Sequence, residues 1–472
     1  MKRIVKNRPE LLSAGDAESR RIVLDVAEGA LDRLNAENRI RSIMHREGSV
    51  VTIGKKQWDL SKKRRVYLIG AGKACNAMAM AVEDILGDYL TDGIAIVKIA
   101  EESDRFRRTR VYVGGHPMPN ETGLQASREI LKLIDGACAE DLFFCVMSGG
   151  SSALMSCPVE GLTLQDEIDA TNVLLKSGAN IREINAVRRH ISAMNGGRMA
   201  QRIAEKGAEL VGFNISDSVA YGPTGDISVP WENFCATPMG ADQTTVEDAL
   251  AVIRDYDLES RLPERVVRYL KTCGPAGETP KAFPQNTYYQ INTLPDSCIC
   301  AAEAARELGL PAVVLTTFLE GEAADAGRFM AAVARQIQTY GQPVSAPCVV
   351  LSAGEVVTTI LDDRAIEGHG GPSHEMVLGF AEGAAKAPGV CLLSVDSEGT
   401  DGTTLAAGGL ADSTTLSALA GQRIDLPLAL RRHASHEALA AVHGTVFTGN
   451  TGTNVCDLNV MYVPRKENRG GL

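Results

Sequence analysis

Two glycine-rich turns in the sequence have the residue types that receive an anion. Gly70-Ala71-Gly72-Lys73 stands where a short apolar run, residues 66–69, gives way to an Ala- and Met-rich helical stretch. Free backbone N–H groups and the positive end of a helix would face a phosphate or carboxylate there, with the Lys73 ammonium as an added charge. The spacing is not GxGxxG, because Cys75 occupies the third glycine position, nor is it the longer GxxxxGK[ST] loop. A tight packing turn with a solvated lysine is the competing explanation. Ser148-Gly149-Gly150-Ser151-Ser152 follows a second apolar run, residues 142–147, and forms a second anion cradle of hydroxyls and N–H groups. Its alternative is a turn whose serines cap a helix.

Cations crowd a third place, where Arg182, Arg188, Arg189 and His190 fall within about two helical turns. Such a group is either a solvated face or a fork-shaped clamp for carboxylate and phosphate. In the second half, the polar turns at 397–404 and 448–454 adjoin apolar runs, so Asp401 and Asn454 are expected to face one cleft with Glu355 and Glu375. Glu355 and Asp401 there are candidate Mg²⁺ holders, acting with substrate phosphates. Turn-forming Asx chemistry accounts for each bend separately. His433 and His436 read as an exposed helix beside Arg431 and Arg432, whereas His369 and His374 flank a glycine loop. Neither a zinc string nor a GxSxG elbow is present.

The elements that must position these residues alternate between strand and helix. An amphipathic helix is expected from Asp16 to about Met44, then strands at 66–69, 94–98, 111–113, 142–147 and 210–213 with helices between them. This is the pattern of a Rossmann-like parallel sheet covered on both faces. Residues 221–242, with Pro223, Pro230 and Pro238, read as a linker or lid. A boundary near Gly240 divides the chain into domains 1–240 and 241–472. Past it, strands at 312–317, 348–352, 356–361, 390–395 and 455–463 alternate with helices at 322–340, 373–386 and 433–443. A hairpin around Gly354 makes this second α/β sheet mixed.

Composition narrows the field. The 472 residues are 44% hydrophobic and 23% charged, the profile of an ordinary globular protein. A net charge of −11 disfavours broad contact with nucleic acid or an anionic membrane. Eleven scattered cysteines without a CxxC pair suit a reducing cytoplasm. No secretory signal or membrane span is written in the chain.

Taken in order, ten strings resemble the glycerate 2-kinase family, two-domain kinases with a C-terminal MOFRL domain. They are GAGKA at 70–74, GGHPMPNETG at 114–123, SGGSSAL at 148–154, LLKSGANIREINAVRRHIS at 174–192 and NGGRMA at 195–200, then ISD at 215–217, LEGEA at 319–323, SAGE at 352–355, TDGTTLAAG at 400–408 and TGNTGTNVCDL at 448–458. The resemblance spans nearly the whole chain. It implies Mg²⁺-requiring phosphorylation of the 2-hydroxyl of glycerate by ATP, in a cleft between the domains. On this reading Gly70, Gly72, Lys73, the turn from Ser148 to Ser152 and Asn454 bind substrate and phosphate. Arg188 or Arg189 grips the acid, and Asp217 orients or deprotonates the hydroxyl. The expected partners are ATP and a 2-hydroxy acid, with a homodimer left open.

The chain departs from the family pattern at several points. Where members usually carry GGRNQE, residues 370–375 read GGPSHE, so Pro372 and Ser373 replace an arginine and its neighbour. His369, His374 and Arg364 are the local substitutes. Glu398 replaces an aspartate, Leu405 stands where another is common, and the aspartates expected after ISD are missing. These changes imply a shifted substrate within the sugar-acid class. Two other readings stay open: an NAD(P)H-dependent hydroxypyruvate reductase, and a non-catalytic sugar-acid sensor derived from the kinase.

Overall fold

A computed structural model describes residues 3–102, 104–218, 227–230, 234, 238–360 and 366–466. Arg364 and most of the proline-rich stretch at 221–242 lie outside the described residues. The chain divides into two compact units: one comprises Ala36–Ser216 and Gly225–Ile291, the other Met1–Asn35, Asp217–Thr224 and Asn292–Leu472. This differs from the single cut expected near Gly240. The physical reason is long-range packing. The helix Ala17–Leu34 buries Leu24, Val26 and Ala27 in the same core as Leu294, Cys298 and Ala301 of the helix Leu294–Glu307, so its apolar stripe belongs with the second half of the chain.

The parallel-sheet unit opens with a small antiparallel sheet of β1 (Met44–Glu47), β2 (Val50–Ile53) and β3 (Lys56–Asp59). The expected single helix to Met44 instead stops at Leu34 and resumes as Ala36–Ile43. The main sheet contains β4 (Arg65–Gly72), β5 (Leu90–Val97), β6 (Thr109–Val113), β7 (Asp141–Met147), β8 (Glu209–Ile215), β9 (Ser228–Val229) and β10 (Thr287–Asn292), in the order β6-β5-β4-β7-β8-β10-β9. Strands β4 to β8 pair in parallel. Every residue of β7 is buried, as a strand covered on both faces requires. Tyr67, Ile69, Phe143 and Cys145 pack with Ile130 and Ile134 of the helix Glu121–Asp135.

In the mixed-sheet unit, β11 (Ala312–Glu322), β12 (Cys348–Val357), β13 (Cys391–Asp396), β14 (Gly408–Asp412), β15 (Thr445–Val446) and β16 (Asp457–Val463) take the order β11-β12-β16-β13-β14-β15. Only β11 and β12 pair in parallel; the other pairs are antiparallel. The expected hairpin at Gly354 is absent, because β12 runs unbroken through it. Gly354 opposes Leu319 on one side and Asp457 on the other, and a Cβ there would fall 2.0 Å from the Leu319 carbonyl oxygen. The glycine permits close strand approach and makes no turn. Arg20 and Asp412 form a buried ion pair, Nε to Oδ2 at 2.5 Å, which ties the helix Ala17–Leu34 to β14.

Candidate functional site

Strand order reverses between β4 and β7: β5 and β6 extend the sheet on one side of β4, and β8 lies beyond β7 on the other. Crevices outside the carboxyl ends of strands at such a reversal are where open α/β sheets bind ligands. The first anion cradle overlaps the end of β4, which runs on through Gly70 to Gly72, past the end at 69 expected from the sequence; the second follows β7, and the structure interlocks them. Lys73 N–H donates to the Gly149 carbonyl at 3.0 Å, Ser148 N–H to the Ala71 carbonyl at 3.1 Å, and Ala74 N–H to Ser148 Oγ at 3.0 Å. Some of the expected N–H donors are thus spent holding one turn against the other. Gly150, with φ +83°, brings its backbone so near that a Cβ would meet His116 Cδ2 at 2.8 Å and Lys73 Cγ at 3.3 Å. Lys73, His116 and Gly150 therefore converge. His116 sits in the quoted GGHPMPNETG string, yet sequence reasoning gave it no role; its position after β6 was the available signal.

The one-turn helix Ser151–Leu154 begins with no serine cap, against the capping alternative. Asn195 anchors this region, donating from Nδ2 to the Ser152 carbonyl at 3.1 Å and to Ser192 Oγ at 3.2 Å. The helix Ile181–His190, preceded by an Asn180–Glu183 capping box, carries the two arginines. They have different surroundings. Arg189 pairs with the buried Asp242, Nη1 to Oδ1 at 2.9 Å, and Asp242 also accepts from Thr244 and Thr279. The Arg189 guanidinium is thus already matched by a carboxylate of the protein, unlike the open clamp expected. Arg188, like Arg189, has a buried Nε with no hydrogen-bond partner. Burial lowers its proton affinity, and Glu167 acts against that effect. Glu167, itself buried and raised above the usual carboxylate range by desolvation, accepts from Ser156 Oγ at 2.7 Å.

A second cluster forms in the mixed-sheet unit at the carboxyl ends of β12 and β13, beside the start of β16. Asp217 Oδ2 accepts from Asn454 Nδ2 at 3.3 Å, and the Asp217 carbonyl accepts from Cys456 Sγ at 2.9 Å. Two residues singled out separately in the sequence are thus brought together. Asp396 and Asp457 stand directly opposite each other on neighbouring strands. Burial, then the negative charges of Asp396, Asp401 and Glu355, push Asp457 well above the usual carboxylate range.

Asp401, expected as a metal holder, also caps a helix. Its Oδ1 accepts the Ser373 N–H at 3.2 Å, and its Oδ2 accepts the His374 N–H at 2.9 Å and His374 Nδ1. The carboxylate is spent on the start of the helix Pro372–Ala384. Among the described residues, no group of three or more His, Cys, Asp or Glu could hold a metal ion. Glu355 and Asp401, expected to hold Mg²⁺ together with substrate phosphates, are two carboxylates whose charges both reach Asp457. Pro372 fills the first helical position, where a missing N–H costs nothing. Leu405 is 78% exposed and belongs to no packed core. The histidines also depart from expectation. His433 Nδ1 lies 2.9 Å from Glu375 Oε1, and His436 packs against His374 with ring centroids 5.4 Å apart, so neither belongs to a merely solvated face.

Known proteins with this organisation are recognisable. A family described as a domain of unknown function (DUF4147) matches residues 22–271, and the MOFRL family matches residues 348–457. A glycerate 2-kinase of Pyrococcus horikoshii is 36% identical over 459 residues, which cover 95% of this chain and 100% of that protein. A putative hydroxypyruvate reductase of Agrobacterium vitis is 34% identical, over 84% of this chain and 87% of that protein. The crystal structure of a glycerate kinase from Thermotoga maritima superimposes with a TM-score of 0.77 at 30% identity, covering 94% of this chain and 99% of that one.

Proposed function

The chain belongs to the glycerate 2-kinase family and is a phosphotransferase with an alcohol group as acceptor, and we propose that it carries the γ-phosphoryl group of ATP to the 2-hydroxyl of D-glycerate or a closely related sugar acid. The observation that carries this reading is the convergence of Lys73, His116 and the Ser148–Ser152 turn at the point where strand order reverses. Phosphoryl transfer asks mainly for positioning and charge stabilisation. A half-buried lysine whose stem lies against closely approaching backbone supports phosphate binding there, with Lys73 stabilising charge on the transferred group.

Arg188, whose buried Nε lacks a partner, is the residue proposed to grip the acid's carboxylate. Asp217, steadied by Asn454, is proposed to orient the 2-hydroxyl. Mg²⁺ enters with ATP as the Mg·ATP substrate, carried by the phosphates. Among the described residues ten cysteines are free thiols, which suits the reducing cytoplasm as the place of work. No described helix is long and apolar enough to cross a membrane.

The test is ADP release by purified, folded protein with Mg·ATP and a panel of small 2-hydroxy acids. Turnover with D-glycerate or a near relative is expected, with both acid and Mg²⁺ required. Silence across the panel would falsify the proposal. NADH oxidation driven by hydroxypyruvate would point to the reductase reading. Stabilisation by the acid but not by Mg·ATP would mark a sensor.

A further inference from the structure

The loop that follows β6 carries His116 across the carboxyl end of the parallel sheet. It leaves the strand at Gly114, whose N–H donates to the Val97 carbonyl at the end of β5, at 2.9 Å. It is pressed against the one-turn helix Ser151–Leu154: a Cβ on Gly114 would lie 2.9 Å from Leu154 Cδ2, and one on Gly123, just beyond the loop, 2.5 Å from the Leu154 carbonyl oxygen. Asn120 fixes the far end. Its Oδ1 accepts the Gly123 N–H at 2.9 Å, capping the helix Glu121–Asp135, and its Nδ2 reaches back to the Val113 carbonyl at 3.4 Å. All of these residues belong to the parallel-sheet unit. A loop tied at both ends and packed between them leaves its histidine little choice of place.

That place is the seam between the two glycine-rich turns. The imidazole edge lies against Gly150, with Nε2 3.1 Å and Cδ2 2.8 Å from the point that a Cβ there would take, and Lys73 Cγ lies 3.3 Å from the same point. Both side chains are half-buried. Two groups able to donate hydrogen bonds are therefore held around one glycine, on the same unit and beside the same turn. Their chemistry is complementary. A lysine ammonium binds phosphate as a point charge without a fixed direction, whereas an imidazole N–H donates along the plane of its ring. A phosphate group offers several oxygens, so a directional donor next to a point charge fixes how the group is turned.

We propose that His116 is a phosphate-binding residue of this unit, its Nε2–H donating to an oxygen of the same ATP phosphate group that Lys73 addresses. The proposal rests on the kinase reading above. His116 makes and breaks no covalent bond in this role. The imidazolium and the neutral ring protonated at Nε2 both donate, so no change of charge is required. Gly150 is what lets the two side chains share one phosphate, because a side chain there would stand where the imidazole edge lies.

Titration calorimetry of the full chain with Mg·ATP, and steady-state kinetics with the best acid substrate, test this. His116→Leu, which removes the donor, is expected to weaken Mg·ATP binding by about tenfold or more, the scale of one charge-assisted hydrogen bond. It should also lower kcat by about 10²-fold, while thermal stabilisation by the acid alone stays as in wild type. His116→Gln, whose amide N–H can donate from nearly the same place, should recover about tenfold of the loss in kcat. Wild-type affinity for Mg·ATP in His116→Leu, or equal loss in both variants, overturns the proposal. Nitrogen-15 NMR of the unsubstituted protein gives a readout free of turnover: His116 protonated at Nε2 and shifted by Mg·ATP supports the donor, and Nε2 unprotonated in that complex overturns it. Silence with every acid sinks the kinase reading alone, since the titration and the NMR still decide whether His116 binds phosphate; failure of the wild type to bind Mg·ATP overturns both.

Discussion

Ser148 Oγ occupies the space that a side chain on Gly72 would need: a Cβ there would lie 2.2 Å from that oxygen and 2.8 Å from the Ser148 backbone nitrogen and carbonyl oxygen. The two anion-binding turns are therefore one interlocked object. Gly72 also holds φ at +133°, a conformation costly for any residue with a Cβ. Gly72→Ala is expected to destabilise the parallel-sheet unit by about 2 kcal/mol or more. Its thermal midpoint should fall by about 4 to 8 °C, and turnover at permissive temperature should fall with it. A thermal scan that overlays wild type would separate the two turns again.

Lys73→Met removes the ammonium and keeps the stem that lies against Gly150. Turnover should fall by about 10²-fold or more, the scale of losing one preorganised donor at a transferring group. The thermal midpoint should stay near wild type, because the backbone N–H of Lys73 that ties this turn to the Gly149 carbonyl is kept in the variant. Full activity in this variant would return Lys73 to the solvated-turn explanation.

The two neighbouring arginines should separate in kinetics. Arg189 answers to Asp242, so Arg189→Met should lower stability, because Asp242 would be left buried without its cation. KM for the acid should stay near wild type. Arg188→Met should instead raise KM for the acid by about tenfold or more, the loss of a charge-assisted contact. The reverse pattern, in substrate titrations at saturating Mg·ATP, would exchange their roles.

Asp412 gives stability a pH dependence of known sign. Burial alone would raise its pKa, but Arg20 and the Thr414 hydrogen bonds hold it below the usual carboxylate value. A depressed carboxylate contributes stability that is fully present above its unfolded value of about 3.9 and is lost as pH falls through the lower folded value. The thermal midpoint of the mixed-sheet unit should therefore drop below about pH 4. Asp412→Asn should cost about 3 to 5 kcal/mol near neutrality by stranding the Arg20 charge, and should flatten that acid-side fall. Calorimetry from pH 3 to 7 checks both.

The local pattern of the sequence reached most of the strands and the turns that follow them. Apolar runs at 142–147 and 210–213 became β7 and β8, because strands buried on both faces leave an uninterrupted apolar signature. The hairpins of β1 to β3 were missed, although Gly48 and Gly54 mark both turns with positive φ. Gly354 was misread because a glycine needed for close strand approach and a glycine needed for a turn are the same letter. His436 was set aside for the same kind of reason: its neighbours in sequence are charged, and its partners, His374 and Phe447, are brought to it only by folding.

By itself, then, the sequence determined the succession of α/β elements, the glycine-and-serine turns and the identity of Lys73, since these depend on residues a few positions apart. Only the tertiary structure decided that Arg189 and Asp401 are matched within the protein, that Asp217 meets Asn454, and that the first 35 residues complete the mixed-sheet unit. Those outcomes are pairings between residues tens to hundreds of positions apart, set by which buried charges and apolar faces find each other once the strands have chosen their neighbours.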